Sequence, residues 1–101
     1  MHIYIETTDD VRRERVMQLL RYSLNGNRKD IESLQLRVAT IRNPLGTKLH
    51  RCRLRALLPR GAPIEVEDVQ LRLDLAVTRA LQRCVRTVRR RHGRYTQHHS
   101  A

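Results

Sequence analysis

The sequence has no tryptophan and no phenylalanine, and its aromatic side chains are three tyrosines. An RNA-recognition motif stacks bases on aromatic residues of its central strands, so that mode of base reading is excluded. Acidic residues are scarce, 10 against 21 basic ones, and none follows Asp74. No stretch approaches the roughly 18 apolar residues of a membrane-spanning helix, and residues 1–6 lack the charged-then-apolar layout of a secretory signal. A cytoplasmic protein without a membrane partner is expected. Cys52 and Cys84 are too few for a disulfide framework, and each stands where a small core residue is expected. A Gly-rich phosphate loop, a nucleophile elbow and a His-Glu-x-x-His segment are all absent, so no enzyme and no small-molecule substrate are expected. His92, His98 and His99 match no zinc spacing, which leaves no metal or cofactor to expect.

What the chain has in abundance is arginine. Of its 21 basic residues 19 are arginine, and the formal net charge is +11 with a pI near 11.3. Seven of those arginines lie between Leu75 and Ala101, where there is no acid to balance them. Arg79, Arg83, Arg86 and Arg90 recur at i, i+4, i+7 and i+11, which puts them on one stripe of a helix. Leu73, Ala76, Val77, Ala80, Leu81, Cys84, Val85 and Val88 form the opposite, core-facing side. Such a field attracts phosphate backbones or another polyanion.

Upstream, residues 2–7 alternate like a short strand. Thr8, Asp9 and Asp10 supply capping chemistry for a first helix with Val16, Met17, Leu19, Leu20 and Leu24 on its apolar side, ended by Asn25-Gly26. Residues 31–42 and 48–58 alternate again, with Arg37, Arg51, Arg53 and Arg55 pointing away from Leu34, Leu36, Val38, Cys52, Leu54 and Ala56. Turns are expected at residues 43–46 and 59–63. A short fourth strand over residues 64–66 follows, and Asp68 is read as the cap of the long helix. The order β-α-β-β-β-α predicts an α+β two-layer sandwich, a four-stranded sheet with two helices on one face. One domain over residues 1–93 is expected, then a short flexible basic tail over 94–101.

The run Arg51-Cys52-Arg53-Leu54-Arg55-Ala56-Leu57-Leu58-Pro59-Arg60-Gly61-Ala62-Pro63-Ile64-Glu65-Val66 resembles the third and fourth strands of short ribosome hibernation-promoting factors. Leu73-Asp74-Leu75-Ala76-Val77, with Leu81 beyond, is similar to the start of that family's last helix. Residues 3–9 and 31–38 are similar to its first two strands. The chain departs from the usual pattern at Arg55 and Leu57 and lacks a tyrosine near residues 71–74. The resemblance implies a β-α-β-β-β-α fold related in shape to double-stranded-RNA-binding domains, in a non-catalytic protein that binds the small ribosomal subunit and its 16S-type rRNA, between head and body. It would lie across the messenger and transfer RNA path and repress translation in stress or stationary phase. It implies the short class, and with it a monomer.

The expected RNA-binding residues are Arg79, Arg83, Arg86, Arg89, Arg90, Arg91 and Arg94 of the last helix, with Arg51, Arg53 and Arg55 on the sheet and Arg12 and Arg13 on the outer surface of the first helix. With so few aromatics, recognition is expected through shape and backbone charge. Reversing Arg79, Arg83 and Arg86 to glutamate is expected to abolish binding and leave the fold intact. A general binder of structured RNA and a module docking on an acidic protein are the alternatives that the same charge pattern allows.

Overall fold

The elements of the computed structural model run β1 (His2–Thr7), α1 (Arg13–Leu24), β2 (Ser33–Arg42), β3 (Lys48–Leu57), β4 (Ile64–Gln70) and α2 (Leu73–Ser100). It describes residues 1–8, 11–24 and 30–100, those from 92 to 100 by their backbone alone. The capping role expected of Asp9 and Asp10 and the stop at Asn25-Gly26 lie outside the described residues.

The four strands form one sheet in the order β1-β2-β3-β4. β1 runs parallel to β2 because α1 carries the chain back between them, whereas the other neighbours are antiparallel. Period-two alternation then sorts the side chains. Leu34, Leu36 and Val38 of β2 and Cys52, Leu54 and Ala56 of β3 are buried against the helices. From α1 come Val16, Leu19, Leu20 and Leu24, and from α2 Ala76, Val77, Ala80, Leu81, Cys84 and Val88, all in one apolar cluster. This is the expected α+β sandwich with both helices on one sheet face. Small residues at 76, 80 and 84 let α2 lie close to the sheet and to α1, while Leu20 and Leu81 fill the space between them.

Tight turns set the register. Asn43 accepts hydrogen bonds from the backbone N–H groups of Leu45 (3.0 Å) and Thr47 (2.9 Å) on its Oδ1, and Gly46 takes the left-handed conformation at φ 83°.

Two expectations are corrected. β4 does not end at Val66 but continues to Gln70, because β3 offers pairing partners up to His50. Asp68 therefore sits within the strand, on its buried side, and does not cap α2. The helix begins at Leu73, where the Arg72 carbonyl accepts the Ala76 N–H at 3.1 Å and Asp74 supplies the negative charge of the first turn. The backbone of α2 runs helical from Leu73 through Gly93 to Ser100. One glycine costs only about 1 kcal/mol relative to alanine, and no proline follows to break the ladder.

Candidate nucleic-acid interface

The amphipathic spacing of α2 dictates its two sides. With Ala76, Ala80, Leu81, Cys84 and Val88 inside, Arg79, Arg83, Arg86 and Arg90 are left exposed along the outside, flanked by exposed Arg89. These arginines are not equivalent. Arg79 and Arg83 lean toward β4, where the Asp68 carboxylate lies 3.8 Å and 3.5 Å away, and Arg83 Nη1 also donates to the Glu67 carbonyl at 2.8 Å. Arg90 donates to Thr87 Oγ1 on its own helix at 3.3 Å. Arg86 and Arg89 have no hydrogen-bond or ion-pair partner among the described residues. Arg91 is half-buried and donates to the Ala62 carbonyl, where it ties the end of the packed helix to the β3–β4 turn. The side chain of Arg94 lies outside the described residues, as does that of Tyr95.

The uncovered face of the sheet presents a different electrostatic picture. Register places Glu6, Arg37, Arg53 and Glu67 in one row across all four strands, and Tyr4, Gln35, Arg55 and Glu65 in the next. Arg37 pairs with Glu6 at 3.1 Å, Arg53 with Glu67 at 3.5 Å and Arg55 with Glu65 at 3.7 Å. Cross-strand pairs of opposite sign stabilise the sheet modestly, and exposed as these are, each contributes about 0–1 kcal/mol. Arg51, half-buried between Ala39 and Val69, lacks such a glutamate opposite it. An open trough of about 460 Å³ crosses this face, lined by both signs of charge. Arg37, Arg53 and Arg55 thus share their charge with acids on neighbouring strands, which local sequence does not connect to them. The strongly one-signed surface is that of α2.

Arg12 and Arg13 are exposed at the start of α1, where the Arg12 carbonyl accepts the N–H groups of Arg15 (3.1 Å) and Val16 (3.3 Å). Asp9 and Asp10, the acids nearest to them in sequence on the N-terminal side, lie outside the described residues.

Neither thiol has the setting of a reactive group. Burial pushes Cys52 up from 9.0 to about 12, with the Asp68 charge adding to the rise, and pushes Cys84 up to about 11 against the lowering effect of Arg91. Both folded values exceed the unfolded one, so the stability they contribute is complete below pH 9.0 and is lost as pH rises through about 11 and about 12. A thiol reagent at pH 8 is therefore expected to label neither cysteine until denaturant is added, and rapid labelling of the native protein would contradict this burial. Among the described residues no cluster of His, Cys, Asp and Glu could hold a metal ion, and no helix is long and apolar enough to cross a membrane.

The fold has known counterparts. A ribosomal subunit interface protein from Coxiella burnetii superposes with a TM-score of 0.72 at 16% identity, over 92% of this chain and 99% of that one. The N-terminal domain of Protein Y from Thermus thermophilus superposes with a TM-score of 0.63 at 20% identity, over 89% of this chain and 98% of that one. No family model and no curated protein matches the sequence. At these identities the likeness is one of fold.

Proposed function

We propose that this protein is a non-catalytic, ribosome-associated factor of the hibernation-promoting type, whose partner is the small ribosomal subunit and its rRNA. The observation that carries this reading is the outer face of α2. It presents exposed arginines without a single acid after Asp74, on a fold shared with a protein named for the interface between ribosomal subunits. Arginine's planar fork matches a phosphate with two parallel hydrogen bonds, and a row of them matches a phosphate backbone.

On this reading Arg79, Arg83, Arg86, Arg89 and Arg90 form the main contact, and Arg94 of the same helix and Arg12 and Arg13 at the start of α1 are further candidate contacts. Arg51, Arg53 and Arg55 contribute less, since two of the three already share their charge with glutamates. Arg91 supports the surface from within by holding the β3–β4 turn. Affinity comes from counterion release: with about six to ten phosphates neutralised, it falls by roughly 10³ to 10⁵ between 50 and 200 mM salt. The mechanism is steric. A monomeric domain seated in the RNA-walled channel between head and body leaves no room for messenger or transfer RNA, and translation stops without any bond being made or broken.

Competition tests this. Small subunits loaded beforehand with messenger and transfer RNA should exclude the protein, and the protein added first should block their loading. Simultaneous binding of all three would refute channel occupancy. Phosphate contacts alone carry no sequence information, so a general binder of structured RNA is the second reading. It requires equal affinity for any duplex.

A further inference from the structure

Among the described residues, Asp68 is the one buried acid that faces the arginine stripe. The alternation Ile64, Val66, Asp68 directs it to the helix side of β4, where its side chain is only 7% exposed. A carboxylate this deep needs partners, and it has three. Its Oδ1 accepts a hydrogen bond from Gln70 Nε2 at 2.7 Å, while Oδ2 faces Arg83 Nη1 at 3.5 Å and Arg79 Nε at 3.8 Å. Arg83 Nη1 is fixed a second time by the Glu67 carbonyl at 2.8 Å. Yet the two arginine side chains remain 57% and 51% exposed. A guanidinium carries five N–H donors in a rigid fork, so the edges turned away from Asp68 are still available.

We propose that Asp68 is a positioning residue for phosphate binding, one that holds the forks of Arg79 and Arg83 in place before RNA arrives. The proposal rests on the reading of α2 as the RNA-contact surface. A long side chain loses rotamer freedom when a ligand immobilises it, and one already held loses less. Two consecutive turns of α2 therefore offer RNA a preset pair of donors, while Arg86 and Arg89 supply charge without a fixed geometry.

The sign of one substitution separates positioning from charge. Asp68→Asn removes an acid and raises the net charge from +11 to +12. The field alone would then tighten RNA binding. Positioning predicts the opposite, a loss of about tenfold at fixed salt. Asparagine has the same shape and can still accept from Gln70, which favours retention of the fold. A second variant, Arg79→Lys with Arg83→Lys, keeps both the net charge and the cationic partners of Asp68 but removes the forks. It should lose affinity to a similar degree.

Binding of the full chain and of each variant to purified small ribosomal subunits and to a short A-form duplex RNA would be measured over one salt series, alongside thermal unfolding. Weaker binding by folded Asp68→Asn, with a shallower salt dependence equivalent to about one or two lost phosphate contacts, supports the role. Equal or tighter binding overturns it. So does a loss that vanishes on cooling in step with recovery of the fold, which would make Asp68 a structural residue only. A wild-type chain that binds neither RNA overturns the underlying reading as well, whereas wild-type binding with an unaffected asparagine variant overturns the role of Asp68 alone.

Discussion

Changing Arg86, Arg89 and Arg90 together to glutamate is expected to abolish RNA binding while the domain stays folded. Each reversal removes two charges, so the net charge falls from +11 to +5, and all of the change lies on one surface. Three lost phosphate contacts near 0.1 M salt correspond to about a thousandfold in affinity, before repulsion by the new carboxylates is added. The fold should tolerate this. Arg86 and Arg89 have no partner among the described residues, Arg90 touches only Thr87, and exposed substitutions of this kind change stability by roughly 0.5 kcal/mol or less. Reversal at Arg79 and Arg83 is a poorer probe, because a glutamate there would face the buried Asp68 carboxylate. The expectation that Arg79, Arg83 and Arg86 could be reversed without harm to the fold therefore changes for two of the three. Circular dichroism and filter binding of the 86/89/90 variant decide the matter. A folded variant with wild-type affinity would remove α2 as the contact surface.

The second large effect concerns the base on which that surface stands. Leu81→Ala is expected to cost about 2–5 kcal/mol, since Leu81 is fully buried beneath the stripe and its neighbours Ala80 and Cys84 are too small to close the gap. Against a total stability of about 5–15 kcal/mol, that loss lowers the melting temperature by roughly 10–30 °C for a domain of this size. Because Leu81 touches no solvent, affinity for RNA measured well below the transition should be close to that of wild type. Thermal melting of the variant, followed by binding in the cold, checks both halves. A shift of a degree or two would mean that α2 does not rest on the sheet as described.

Much of this architecture is legible in the residues themselves. The alternation in residues 48–57 separates Cys52, Leu54 and Ala56 from Arg51, Arg53 and Arg55, and the helical recurrence from Arg79 to Arg90 separates stripe from core. Both separations follow from backbone geometry, which local sequence encodes directly. Pairing across strands is not encoded that way. The rows Glu6–Arg37–Arg53–Glu67 and Gln35–Arg55–Glu65 exist only once four strands are in register. With β4 ended at Val66, the partner of Arg53 could not be seen. Asp68 shows how local chemistry misleads: an aspartate shortly before a helix reads as a cap, yet its alternation with Ile64 and Val66 already placed it on the buried side. The decisive contacts, from Arg79 and Arg83, come from residues more than ten positions further along the chain. A clamp such as Arg91 on the Ala62 carbonyl carries no sequence signal at all, because any exposed carbonyl would serve.

Co-sedimentation of the purified protein with small ribosomal subunits, set against bulk duplex RNA over about 50–300 mM salt, tests the ribosomal assignment most directly. Saturation near one copy per subunit, persisting at salt that strips the duplex, is the expected result. Binding that declines in parallel on both, with no saturating stoichiometry, would contradict a specific ribosomal site and leave a basic domain that holds structured RNA of any kind.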